Sequence, residues 1–167
     1  MSYYITTHEI PADLLEKLKK LSPDDDKMQQ LFYEWENSNT KVSTTNVLEA
    51  PYRAISSGKY SSDYEPEEHE IRFYNLVNTE ANMPKRERRY LSEGYPGISD
   101  YEEAGEVALI WKAIEKVIAL HPGYAVTDLL ATDTFSEIQA CASEIDEYIR
   151  FYYGCAMRGS ATITIDS

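Results

Sequence analysis

The sequence predicts an α+β fold: a mostly helical single domain with a small sheet that includes both chain termini. Three observations carry this. The opening "SYYITT" is aromatic and β-branched, as strands are, and the closing "ATITI" alternates with period two. Between them, apolar residues recur at helical spacing, most strongly in the last third of the chain. At 167 residues the chain fits one domain of ordinary size, and 43% hydrophobic residues suffice for a core.

The elements follow in order. Residues 2–7 read as a short strand. Pro11 opens a helix that places Leu14, Leu15, Leu18 and Leu21 on one side. "LSPDDDK" restarts the chain, with Ser22 as N-cap, Pro23 at the first helical position and Asp24, Asp25 and Asp26 at the positive end of the helix dipole. Met28, Leu31, Phe32 and Trp35 continue an amphipathic helix to about residue 37. Residues 38–46 are polar and non-periodic, which predicts a loop. "VLEAPYRAI" predicts a short helix stopping at Gly58. Residues 61–74 fit a helix from Pro66 or a strand through Ile71 and Phe73. "MPKRERRYLSEG" reads as a short basic helix, and "YPGISD" as a turn.

The last third is the most regular. Asp100 and Glu103 suggest a capping box ahead of the stripe Val107, Ile110, Trp111, Ile114, Val117 and Ile118. Thr134 and Glu137 offer a second box, ahead of a stripe from Ile138 to Ala156. Gly159 suits a C-terminal cap, and residues 161–165 form the terminal strand.

Charge is the compositional outlier: 29 acids against 16 bases give −13. Such a field repels phosphate backbones and anionic membranes and attracts cationic partners, so direct nucleic-acid or membrane binding is disfavoured. Solubility alone also accounts for much of such a charge. Tyrosine is the second outlier, 14 against 4 Phe and 2 Trp. Its apolar ring and polar tip suit half-buried sites and interfaces. The start lacks the basic and apolar regions of a secretory signal. Cys141 and Cys155 fall in one predicted helix about 21 Å apart, beyond disulfide reach, so both are expected as free thiols in a cytoplasmic protein.

Motifs for familiar chemistry are missing: no glycine-rich phosphate cradle, no GxSxG, no CxxC and no HExxH occur. No cofactor or metal is therefore expected. His69 in "EEHE" is more simply a surface residue than a ligand, and Cys141 lies on an apolar stripe where a thiol is a small hydrophobe. The basic run "KRERR" reads first as an intramolecular counterweight to the acidic residues upstream. The run "YIRFYY" puts aromatics on more than one helical face, so Tyr153 or Phe151 is a candidate surface anchor. The strongest binding candidate is "SSDYEPEEHEIRFY", residues 61–74, whose five acids are too alike in charge to be buried together. Asp63, Tyr64, Glu65, Glu67, Glu68 and Glu70 are its expected partner-binding residues, with Tyr153 as an additional anchor.

The C-terminal helix with Phe151, Tyr152 and Ala156, then Gly159 and the strand from Ala161, resembles the end of the YfbM-like family of small bacterial proteins. The start, "YYITTHEIPADLLEKLKKL", is similar in plan to that family's opening strand and helix. Where the family's central helix usually carries a Trp, "NVLEAPYRAISSG" keeps the Gly and has no Trp. The resemblance covers about a third of the chain. It implies accessory or immunity-type binding and transfers no catalytic residue.

Together these features predict a non-enzymatic cytoplasmic inhibitor, most concretely an immunity protein that neutralises a basic toxin such as a nuclease. A phage-type DNA mimic directed at a restriction or CRISPR enzyme is the alternative. A second alternative is an enzyme with an unrecognised site around Arg86, Arg88 and Arg89 with Glu68 or His69.

Overall fold

The computed structural model describes residues 4–38, 44–48, 87–92, 97–120 and 143–166. The sheet is built first from the two ends of the chain. Strand β1 (Tyr4–Ile10) pairs antiparallel with β4 (Ala161–Asp166), so that His8 faces Ile163 and Ile10 faces Ala161. Strand β2 (Thr44–Leu48) adds to the other side of β1, and β3 (Gly97–Glu102) adds to β4. The result is a four-stranded antiparallel sheet in the order β2-β1-β4-β3. Among the described residues four helices accompany it: α1 (Ala12–Leu21), α2 (Asp25–Ser38), α3 (Ala104–Leu120) and α4 (Ser143–Arg158). Helix outweighs strand, and both terminal strands lie in the sheet, as the sequence predicts.

Alternation along β4 assigns its two faces. Ala161 and Ile163 join the core formed with Ile10, Ile98, Leu91 and the helix residues Leu14, Leu15, Leu18, Met28 and Phe32. Leu21, Leu31 and Trp35 pack at its margin. The predicted stripes of α1 and α2 are therefore the ones that cover this face. Thr162 and Thr164 point the other way, toward the side occupied by Tyr152 of α4. There α3 buries Val107, Ile110, Trp111, Ala113, Ile114 and Val117, and α4 buries Ile149, Phe151, Tyr152 and Cys155.

The helix ends show where local chemistry departs from the sequence reading. Asp24, not Ser22, caps α2: its Oδ1 accepts the Lys27 N–H at 3.1 Å. Ser22 instead closes α1, and its hydroxyl donates to the Leu91 carbonyl at 2.6 Å. At α3, Glu103 takes the N-cap position in place of Asp100. The Glu106 carboxylate reaches back to the Glu103 N–H at 3.0 Å, half of a capping box. Gly159 ends α4 as expected, at φ 63°. The Gly159 N–H bonds the Ala156 carbonyl and the Ser160 N–H bonds the Cys155 carbonyl, a Schellman pair.

Three expectations are corrected. The loop of residues 38–46 gives way to β2 from Thr44, and Val47 and Leu48, expected in a helix, belong to that strand. Their β-branched neighbours suit pairing with β1, which a local reading cannot see. The turn at "YPGISD" is strand β3 from Gly97, with a bulge at Ser99 where two β3 residues oppose one of β4. The basic helix is not formed at residues 87–92. That segment gives its hydrogen bonds to β3 instead: the Leu91 and Ser92 N–H groups both donate to the Ile98 carbonyl. The predicted start of the last helix, at Thr134 and Glu137, lies outside the described residues, as do Cys141 and residues 49–86.

Trp111 is 6% exposed, and its ring meets Tyr153 edge-on, with centroids 5.1 Å apart. Trp111→Ala removes a large side chain from a packed interface. It is expected to cost about 3–5 kcal/mol, read as a lowered denaturant midpoint at unchanged slope.

Candidate functional site

Of the predicted partner-binding residues, Asp63, Tyr64, Glu65, Glu67, Glu68 and Glu70 lie outside the described residues, as do His69 and Arg86. Tyr153 is half-buried, and its ring is engaged by Trp111. Phe151 is buried, so of the two candidates for a surface anchor only Tyr153 keeps access to solvent.

The concentration of polar chemistry among the described residues lies on the α4 side of the sheet. Strand alternation puts Thr7 and Glu9 of β1, Thr162 and Thr164 of β4, and Asp100 and Glu102 of β3 on one face. Asp100, Glu102 and the three threonines are all at most 3% exposed. A buried carboxyl is costly unless hydrogen-bonded, and each of these finds donors. Glu102 accepts from the Tyr152 hydroxyl and from Thr162 Oγ1, the latter at 2.9 Å. The hydroxyls of Thr7 and Thr164 meet at 3.0 Å across β1 and β4. Asp100 accepts the Arg89 N–H at 3.2 Å. Glu9, at the margin, takes two bonds from Arg158 and one from Ser160 Oγ.

Environment separates these acids. For Asp100, burial comes first and the nearby Glu102 second; together they push the carboxyl up to about 8, so that it keeps its proton at neutral pH. At Glu9 burial also acts upward, but the bonds from Arg158 and Ser160 and the charge of Arg158 outweigh it, and the carboxyl lies below its ordinary value. Cys155 is fully buried; burial and the charge of Glu9 push its thiol far up, which makes it a poor nucleophile. On the opposite face, His8 sits edge-on to Phe32 at 5.1 Å, with Nδ1 buried and unbonded. Burial lowers it to about 4, so its imidazole is neutral at neutral pH.

This layer can hold a proton and orient hydroxyls. Its carboxyls face donors of their own chain, and no group of three or more potential metal ligands occurs among the described residues. The small depression near His8 is lined by Gln29, Phe32, Tyr33, Gly97, Ile98 and Ile165, an apolar and aromatic set with one amide. Arg89, named for the enzymatic alternative, is engaged inside the fold. It donates to the Tyr101 carbonyl and, at 2.7 Å, to Glu106, and it lies over the Tyr101 ring.

Sequence reasoning gave Asp100 to a capping box and passed over Glu102, because "YPGISD" looks like a turn leading into a helix. The available signal is the spacing of two acids at i and i+2, which a strand sends to one face. What the sequence does not show is that helices cover that face.

Two expectations follow. Tyr152→Phe removes a donor from buried Glu102 and should cost about 1–3 kcal/mol in denaturant unfolding. The second concerns pH. Asp100 is raised in the folded state, so the fold binds the extra proton from pH 4 to 8, and stability falls as pH rises through that window. His8 is lowered, so its neutral form supports the fold above 6.5 and that support is lost as pH falls toward 4. The two slopes oppose each other below pH 6.5, and Asp100 acts alone from 6.5 to 8. Relative to Asp100→Asn, the parent protein should lose up to about 2 kcal/mol between pH 6.5 and 8. Parallel melting curves for the two proteins across that range would contradict this.

No protein-family model matches the chain, and neither does any curated protein or solved structure.

Proposed function

We propose that this chain is a non-enzymatic cytoplasmic binding protein that neutralises a basic protein partner, most concretely an immunity protein against a toxin such as a nuclease. The observation that carries this reading is the charge: 29 acids against 16 bases in 167 residues. An acidic face accelerates encounter with a basic protein and suppresses neutral or acidic competitors. The buried carboxyls add support by exclusion. Glu9, Asp100 and Glu102 hold the fold together, which leaves acids elsewhere in the chain to meet a partner. Residues 61–74 contribute the densest run of such acids, with Tyr64 and Tyr153 as aromatic anchors. The terminal resemblance to the YfbM-like family belongs to the same proposal. No helix among the described residues is long and apolar enough to cross a membrane.

The test uses the intact protein as bait at low salt, with elution at high salt. A basic toxin should be retained and released by salt. Reversal of Glu67, Glu68 and Glu70 to Lys should leave the melting temperature within a few degrees, slow association at least tenfold, and flatten its salt dependence. Retention of a restriction or CRISPR enzyme instead would identify a DNA mimic. Unchanged association by the triple variant would assign those acids to solubility alone. Stoichiometric zinc or iron that disappears in His69→Ala would make the stretch a metal site.

A further inference from the structure

The small depression beside α2 closes against the strand residues Gly97, Ile98 and Ile165. Phe32 and Ile98, each 3% exposed, form its floor. Tyr33 stands at its rim, 47% exposed, with its ring centroid 5.9 Å from that of Phe32. His8 packs edge-on against Phe32 at 5.1 Å and helps to fix that ring. Gly97 brings no side chain to the strand wall, so nothing closes the depression at that point.

The helix repeat places acids around these rings. Asp25 and Asp26 lie four and three residues before Gln29, and Glu36 lies four beyond Phe32 and three beyond Tyr33, so each is a surface neighbour of a lining residue. Lys27, the one base of α2, is turned away from Asp25 and Gln29 and sits 3.7 Å from Asp24. Among the described residues no ion pair engages Asp25, Asp26 or Glu36. Two of these acids sit where a carboxylate is poorly served. Asp25 Oδ1 is buried and accepts no hydrogen bond. Glu36 lies in the last turn of α2, at the negative end of the helix dipole, and that turn has no basic residue to offset it.

We propose that this depression receives an arginine side chain of the basic partner, its guanidinium over Tyr33 and flanked by Asp25 and Glu36. The class of partner rests on the binding role proposed above; the site itself is formed by residues other than 61–74. The chemistry of the lining selects the occupant. A purely apolar group would use the floor and gain nothing from the acids. A metal ion would gain nothing from the rings. A guanidinium uses both: it stacks on aromatic faces, is more weakly hydrated than an ammonium, and its fork offers donors to more than one carboxylate. Binding would also give Asp25 and Glu36 the cation that the chain does not supply there.

The test is an NMR titration of the full chain at low salt with the blocked tripeptide Gly-Arg-Gly, and with Gly-citrulline-Gly, its uncharged near-isostere, as control. Shifts should concentrate at the amides of Gln29, Tyr33, Gly97 and Ile98, and the citrulline peptide should bind at least about tenfold more weakly. Tyr33→Ala, at an exposed position, should weaken the arginine peptide about three- to tenfold. Asp25→Asn combined with Glu36→Gln should weaken it about tenfold and flatten its salt dependence. Equal binding of the two peptides, shifts spread evenly to the exposed acids Asp13 and Glu16 of α1, or unchanged affinity in both variants would each overturn the site. The comparison of peptides on the unchanged chain stays decisive if a variant does not fold. Because the peptide reads the site without the partner, the two proposals fail separately. A bait that retains a basic protein equally well with and without these substitutions overturns the site and leaves the binding role standing. Arginine-peptide binding at the site with no basic protein retained overturns the role alone.

Discussion

The pairing of the first strand with the last is the constraint on which the rest of this fold depends. Thr7 and Thr164, in contact, are separated by 157 positions, so almost the whole chain must be accommodated between two strands that touch. Closing so long a loop is entropically costly, though the cost grows only slowly with length. What repays it is that β1 and β4 are both central strands. Each has a neighbour on its outer side, and each is covered on both faces. Once they are in register, the alternation of β4 decides everything next to it: Ile163 selects the face that α1 and α2 must cover, and Thr162 selects the face on which Glu102 and Tyr152 must meet.

This also explains what was legible in the sequence. The stripes of α1, α2 and α3 are local patterns, set by residues three and four apart, and each stripe lies where its spacing places it. The Schellman end at Gly159 is likewise local, because only a residue without Cβ takes φ 63° at no cost. The misread elements depend on partners far away. Thr44, Thr45 and Asn46 look like a loop until β1 supplies a ladder. The run containing Arg88 and Arg89 looks helical by composition, but the edge of β3 offers its N–H groups better acceptors. Asp24 displaces Ser22 as a cap because α1 ends at Ser22, whose backbone N–H bonds Leu18. The site was less legible than the fold. A threonine or glutamate in an alternating strand ordinarily marks the wet face. Whether a second helical layer lies over that face is a tertiary fact.

That second layer has a thermodynamic consequence. A sheet with one apolar face and one polar face would normally leave the polar face in water. Here both faces are covered, so the polar one must satisfy its groups internally. It does so by pairing acceptors with hydroxyl and guanidinium donors: Glu102 with Tyr152 and Thr162, Glu9 with Ser160 and Arg158. Asp100 is the member whose surroundings favour a proton over a charge, and His8, behind the same sheet, is the base whose surroundings refuse one. Asp100 and His8 thus resist charging on opposite faces, with opposite pH dependence.

The same division bears on where binding can occur. A chain with a net charge of −13 is destabilised by self-repulsion, and that repulsion is least when carboxylates are spread in water. Charges placed inside would have to be matched one by one. The fold instead gives Glu102 hydroxyl donors, pairs Glu9 with Arg158 and leaves Asp100 its proton. What an approaching protein senses is then the exposed remainder. On the proposed function, recruitment of a cationic partner and preservation of the buried layer would be separate tasks for different acids of the same chain. A substitution at Glu102 acts on folding, because its carboxyl is held inside by Tyr152 and Thr162. That separation makes the surface charge free to vary in pattern without disturbing the strand pairing that closes the fold.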